Sequence, residues 1–360
     1  MEKTPRPEAR EGTGSGPREH ASRSASGRPG AVADHDGCDA HPPPQRASCP
    51  GRVAPGERVG HPRACAPSTI EPAIQYARRR APELLVWMGI PLLGAFAAGE
   101  SIPLGRFVVF VVAMTAAMAH LLLVNDWGGL RRNPLEVKRY RHVADGTALA
   151  DTLRNGAALT LAAGLACGLY LLPLRMLLVM AGLGIGISVL YSHPAIHLKE
   201  HVIGSKMLHV TGGTVQFLGG YLVFSGHLSR GVAIGLAFGW IIMAGHFFHE
   251  CIDAESDRAH DVHTWATRWG VRHCARVGLL MFVCAHAYLL ILTELTVLSW
   301  ADAWVFSVPV AAHACFAGRI LRDQDDLART LRRYRLSYRT MYALSSAAFV
   351  WVRLASLAQA

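Results

Sequence analysis

Three aspartates carry the most specific chemistry in the sequence. Asp253, Asp257 and Asp261 fall at i, i+4 and i+8 in a stretch that begins His246-Phe247-Phe248-His249-Glu250 and runs to His260-Asp261. On a helix this spacing lines three carboxylates along one stripe. Like charges so placed repel, and at a helix C-terminus the backbone dipole disfavours them further. A cation is needed to make the arrangement tolerable. Aligned carboxylate oxygens are hard ligands, which points to Mg²⁺; that ion, when held by few carboxylates, completes its shell with water and substrate phosphate. The plainer alternative is a solvated helix end whose acids pair with Arg258, Arg268 or Arg272.

A second polar stretch, Asn125-Asp126-Trp127-Gly128-Gly129-Leu130-Arg131-Arg132-Asn133-Pro134, lies 124 residues before the one at His249 and reads like it. Each has a polar residue, an acid, two spacers and a key position, and each is followed by a basic loop. Two such clusters facing each other would form a pocket for a polyanion. His246, His249 and Asp253 also have the chemistry of a zinc set, but no further ligand is defined. His193, His197, His201 and His209 follow or flank the loop near residue 200 and are read as interfacial, with a general base for an acidic acceptor as the alternative.

These residues must be positioned by membrane helices. Hydrophobic residues make up 51% of the 360, charged residues only 17%, and mean hydropathy is +0.24. Soluble domains run near 25% charged. A bilayer crossing takes about 20 apolar residues, and the sequence predicts nine such spans, over roughly 83–99, 105–125, 153–172, 174–191, 207–225, 230–250, 275–297, 300–320 and 338–358. Glycine-rich stretches, Gly182 to Gly186 and Gly212-Gly213, are expected to let helices pack closely. With the amino terminus inside, the inner segments hold Arg78 to Arg80, Arg131 to Arg141, Lys199 and Lys206, Arg258 to Arg276, and Arg319 to Arg339, whereas the outer side holds only Arg106, Arg175 and Arg230, with Arg353 near the carboxyl end. Positive charge belongs on the cytoplasmic side, so both polar stretches face the cytoplasm. The net charge of +10 is thus topological and not a nucleic-acid signature. Residues 1–66 hold 10 of the 19 prolines and no Phe, Tyr, Trp, Leu or Ile, which predicts a tail without a core of its own, or a start assigned too far upstream, ahead of a membrane domain over 67–360. The eight cysteines show no CxxC pairing and are read as free thiols.

With nine spans and two polar motifs on the second and sixth, the chain resembles the UbiA-type intramembrane prenyltransferases. The resemblance covers about residues 75–358. That family's second motif, DxxxD, is matched by Asp253-Ala254-Glu255-Ser256-Asp257, followed by Asp261, Thr264, Arg268 and Gly270. Arg141-His142-Val143-Ala144-Asp145-Gly146 resembles the basic loop after helix two, and Tyr191-Ser192-His193-Pro194 with Lys199 resembles the element after helix four. The first motif, NDxxDxxxD, is kept only in Asn125 and Asp126. Gly129 and Asn133 replace its later aspartates, and His249 stands where relatives often have Asn.

The resemblance implies an all-α, multi-pass membrane bundle of about nine helices. It implies Mg²⁺-dependent transfer of a prenyl group from a prenyl diphosphate to a lipophilic or aromatic acceptor. Asp253, Asp257, Asp261 and Asp126 become candidate metal ligands, and Asn125, Asp253 and Asp257 candidate catalytic residues. Arg131, Arg132, Lys138, Arg141, Lys199 and Lys206 would neutralise the diphosphate, while Tyr191, Gln216 and His249 would line the pocket. In the family two magnesium ions are held; here the first has lost its usual anionic ligands, with Glu136 or Asp126 as substitutes, or one metal acting with arginines. The implied location is the inner membrane of a bacterium, with the site facing the cytoplasm. A terpene cyclase would use the same ionisation without an external acceptor. A cation transporter would use the acids as an ion site, but they lie at one face and not near midplane.

Overall fold

Lipid offers backbone groups no hydrogen-bond partner, so a chain this apolar must satisfy them within its own helices. The computed structural model describes residues 70–99, 101–132, 146–196, 198–259, 261–322 and 327–359, and no strand occurs among them. The tail read over 1–66 lies outside the described residues. The elements are α1 (Ile70–Ala97), α2 (Leu104–Arg132), α3 (Gly146–Leu171), α4 (Leu174–Ser192), α5 (Val202–Phe224), α6 (Leu228–Ala259), α7 (Trp265–Trp269), α8 (Val271–Glu294), α9 (Trp300–Leu321) and α10 (Leu327–Gln359).

Each of the spans predicted from hydropathy falls on one of the long helices. Five of these, α2, α4, α6, α8 and α9, are long and apolar enough to cross a membrane. The outward surfaces of the long helices are correspondingly greasy: Leu159, Leu178, Leu280, Trp304 and Trp351 are all exposed. At the start of α3, where charges interrupt the apolar pattern, Arg154 pairs with Asp151 at 3.3 Å on the outside of the helix.

Contacts between distant residues define two ends of the bundle. At one end, Arg106 at the start of α2 donates to the Leu171 carbonyl at the end of α3, 2.8 Å away, and Arg353 near the end of α10 donates to Asp302 at the start of α9, 2.5 Å away. The other end gathers the start of α1, the ends of α2, α4 and α6, the start of α5, and α7; it carries the polar motifs. Between the ends, α2 packs on α3, α5 on α6 and α1, α6 on α8, and α9 on α10.

Close approach comes from glycines, but not all of those expected. Gly182, Gly184 and Gly186 have open space where a β-carbon would stand, so among the described residues this run joins no helix pair. The tight crossing is instead between α1 and α5, where a β-carbon on Gly94 would overlap the Phe217 carbonyl and one on Gly220 the Pro91 carbonyl. Gly213 does pack closely, with the Gly239 α-carbon 2.8 Å from its β-position, joining α5 to α6. The core is rich in aromatic residues: Phe217, Phe238 and Phe306 stack or meet edge-on in one cluster, and Phe248, Phe282 and Tyr334 in another. In the second cluster His313 is buried between two hydroxyls, Tyr334 at 2.6 Å from Nδ1 and Tyr342 at 3.2 Å from Nε2. Both ring nitrogens therefore have partners, as a buried imidazole requires.

Candidate active site

The end of α6 places Asp253 and Asp257 one turn apart, both half-buried. The Asp253 carboxylate lies 3.4 Å from His249 Nδ1, and both side chains are 45% exposed, enough to meet a ligand from the aqueous side. The expected stripe of three acids stops at two. The helix ends at Ala259, and Asp261 sits beyond it with φ of 55°, its N–H donating to the Arg258 carbonyl at 3.3 Å.

Glu250, one turn before Asp253 and in the sequence only the acid that follows His249, anchors this end. It is buried, and Lys206 Nζ on α5 donates to its Oε1 at 2.5 Å. The Trp265 N–H of α7 donates to its Oε2 at 3.1 Å. The segment after α6 is held for this contact by a capping box, in which Thr264 and Thr267 satisfy each other's backbone N–H groups, and it ends at Gly270 with φ of 90°. Lys206 also lies 4.3 Å from the centre of the Phe247 ring. Expected among the diphosphate cations, it is committed in the structure to this buried pair.

A row of rings extends from the same point. His246 Nε2 is 3.2 Å from Glu250 Oε1 and 3.1 Å from Ser205 Oγ. Its ring stacks on that of His209 with centres 3.7 Å apart, and His209 meets Tyr191 of α4 edge-on at 5.5 Å. On the other side His246 and His249 lie 6.0 Å apart. His246 is therefore turned toward Ser205 and Glu250 and not toward a shared metal with His249 and Asp253. Among the described residues no three His, Cys, Asp or Glu side chains converge on a metal position. Gln216 is half-buried two turns along α5 from His209.

The end of α2 is organised differently. Asp126 is buried and accepts from Tyr76 Oη at 2.8 Å and from Arg80 Nε at 2.8 Å, with a second Arg80 nitrogen on its other oxygen. Arg80 also pairs with Glu83. Asn125 and Gly129 are half-buried on the neighbouring stripe. A β-carbon on Gly128 would overlap the Ser192 carbonyl, so a glycine is needed for α4 to end against α2. This closure brings the residues after α4 over α2, where Lys199 Nζ lies 3.9 Å from the β-position of Gly129. Arg131 is exposed at the end of α2. The side chain of Arg132, and Asn133, Glu136, Lys138 and Arg141, lie outside the described residues.

One more cation belongs, in the sequence, to a run of loop charges. Arg335 of α10 is half-buried, its Nε is enclosed without a hydrogen-bond partner, and it lies within electrostatic reach of Asp253 and Glu83. The run Arg332, Arg333, Arg335, Arg339 signals topology; which member turns inward is decided by packing.

The end of the bundle thus joins two carboxylates on α6, cations from α2, α10 and the segment after α4, and a row of imidazoles. The solved structures that the chain is similar to share this fold at low identity. One described for digeranylgeranylglyceryl phosphate synthase in membranes superposes with a TM-score of 0.60 at 15% identity, over 79% of this chain and 99% of the other. A UbiA homolog from Archaeoglobus fulgidus bound to GPP and Mg²⁺ gives 0.53 at 16% identity, over 77% and 99%. The apo form of a UbiA homolog from Aeropyrum pernix K1 gives 0.51 at 15%, over 73% and 97%. No curated protein sequence matches the chain significantly. The model of the UbiA prenyltransferase family matches residues 85–346, which takes in both polar motifs and the helices from α2 to α9. The chain is an integral membrane protein and belongs to the UbiA prenyltransferase family.

Proposed function

We propose that the protein transfers a prenyl group from a prenyl diphosphate to a lipophilic acceptor, with the headgroup bound at the cytoplasmic end of the bundle. The observation that carries this reading is the gathering at one end of the bundle of Asp253 and Asp257 on α6 with cations from other elements, Lys199 beside Gly129 and Arg335 within electrostatic reach of Asp253. It is supported by the UbiA homolog from Archaeoglobus fulgidus that binds GPP and Mg²⁺.

The donors present fit one Mg²⁺. Asp253 and Asp257 supply hard oxygens one turn apart and half-exposed, and the remaining positions fall to water and diphosphate oxygens, as is usual for this ion. Bound there, the metal would neutralise charge developing on the leaving diphosphate. In this reading Asp126 is held by Arg80 and Tyr76 and orients α1 on α2, and Asp261 stands off the helix. Lys206 holds Glu250 and thereby α7. The diphosphate is bound by Lys199, Arg131 and Arg335, with Arg132, Lys138 and Arg141 as the further sequence candidates. Asn125 remains as a polar contact on the α2 wall, and Tyr191, Gln216 and His249 line the pocket.

Electrostatic stabilisation of the leaving group is the main source of rate. The C1–O bond breaks with its electron pair on the diphosphate. The allylic cation then forms among aromatic and apolar side chains that exclude water and so prevent hydrolysis. All nine long helices cross the membrane in this reading, with the basic loops on the cytoplasmic side of a bacterial inner membrane.

The test is diphosphate release by the purified protein in lipid, with geranyl, farnesyl and geranylgeranyl diphosphates supplied in turn. Release that depends on Mg²⁺ and falls at least a hundredfold in Asp253→Ala and in Asp257→Ala is expected. Full activity in both variants removes the metal assignment, and no release with any donor removes the function. A prenylated acceptor among the products, as against a cyclised hydrocarbon, separates transfer from cyclisation.

A further inference from the structure

In the transfer reading His209 and His246 take no part in binding or ionising the diphosphate, yet their geometry is specific. We propose, resting on the transfer reading above, that His209 accepts the proton released when the acceptor is prenylated, through Nε2, with His246 and Glu250 as positioning residues behind it.

The tautomer follows from the contacts. His209 Nδ1 lies 2.7 Å from the Ser205 carbonyl oxygen, which can only accept, so Nδ1 carries the hydrogen and Nε2 has the lone pair. Nε2 has no hydrogen-bond partner among the described residues and is not sealed off from open space. His246 is fixed in the complementary sense. Its Nε2 faces Glu250 Oε1 at 3.2 Å, and because that carboxylate is paired with Lys206 it accepts, so Nε2 of His246 donates. The two rings are parallel, with an interplanar angle of 18° at 3.7 Å between centres. A protonated His209 would lie flat on a neutral ring hydrogen-bonded to an anion, an arrangement that disperses the positive charge. The groups that face His209 are Tyr191 from α4, Ser205 and Lys206 from α5, and His246 and His249 from α6, with Glu250 behind His246.

The depth also fits. His246 precedes Asp253 by seven residues, about 10 Å along α6 at 1.5 Å per residue. A diphosphate held at Asp253 and pointing its chain into the membrane places C1 between the acids and this level. The acceptor's nucleophilic atom bonds to C1, and the hydrogen it carried passes as a proton to Nε2, giving an imidazolium. The proton leaves to the medium as products depart.

A general base contributes about 10²–10⁴-fold. The experiment follows diphosphate release and prenylated product separately, with Mg²⁺, a donor and an acceptor that the unaltered protein turns over. His209→Asn retains a donor to the Ser205 carbonyl and loses the base; His209→Ala opens space for added imidazole. The expected result is release within about threefold of the unaltered protein, product down about a hundredfold, and prenyl alcohol from water capture in its place. Imidazole should restore product in His209→Ala and leave Asp253→Ala unchanged. Product at the unaltered level in His209→Asn, or an equal fall of release and product in both variants without rescue, overturns the role of His209 and leaves the transfer reading standing. If the unaltered protein releases no diphosphate, the transfer reading fails first.

Discussion

The Lys199 ammonium lies 3.9 Å from the point where a β-carbon on Gly129 would stand. The family pattern places an aspartate at that position, so this chain has exchanged a carboxylate for room beside a cation. In Gly129→Asp the new acid reaches Lys199 and pairs with it, withdrawing that charge from the diphosphate. The KM for the prenyl diphosphate should rise about tenfold, with a smaller change in kcat. Gly129→Asn has nearly the same size without the charge and should stay within about threefold. Steady-state kinetics on both variants settle whether charge or bulk matters, and a tenfold gain in activity for Gly129→Asp would reverse the assignment.

The Lys206–Glu250 pair is buried on both sides, with side chains 5% exposed. Truncating one member of such a pair strands the other, at a cost of about 3–5 kcal/mol, whereas replacing both can be nearly neutral. Lys206→Met should therefore lower thermal stability in lipid more than Lys206→Met with Glu250→Gln. The glutamine can still accept from the Trp265 N–H, which keeps α7 in place. Equal losses in the single and double variants would show that Lys206 is needed for something other than its partner.

Asp126 separates a structural from a metal-binding role. Its oxygens already accept three hydrogen bonds from Tyr76 and Arg80. Asp126→Ala takes the carboxylate away from the half-buried Arg80, and should cost about 2–4 kcal/mol of stability. Asp126→Asn retains shape and part of the bonding, and should cost less while leaving the Mg²⁺ concentration for half-maximal activity within about twofold. A tenfold shift in that concentration, at unchanged thermal stability, would make Asp126 a ligand.

What could be read from the sequence, and what could not, divides along physical lines. The helices were legible because lipid imposes a long apolar run on each crossing, and Asp253 with Asp257 was legible because i, i+4 spacing fixes a shared face. Pairings across the bundle were not. Arg80 meets Asp126 across 46 residues and Lys206 meets Glu250 across 44, and nothing local in either stretch selects its partner. The glycine run at 182–186 shows the same limit: a missing side chain permits close approach but does not say that another helix takes the space. The stripe of acids failed at Asp261 because the spacing continues past the point where the helix stops.

That stopping point gives a last test. Asp261 has φ of 55°, in the left-handed region where a side chain costs about 1 kcal/mol and glycine does not. Asp261→Gly relieves this cost and adds unfolded-state freedom of similar size, so its stability should stay within about 1 kcal/mol of the unaltered protein. Asp261→Val, β-branched at the same φ, should be destabilised by about 1–2 kcal/mol. If only Asp253 and Asp257 hold the metal, Asp261→Gly keeps its Mg²⁺ requirement within about twofold. A tenfold rise in that requirement, with stability unchanged, would return Asp261 to the ligand set despite its place off the helix.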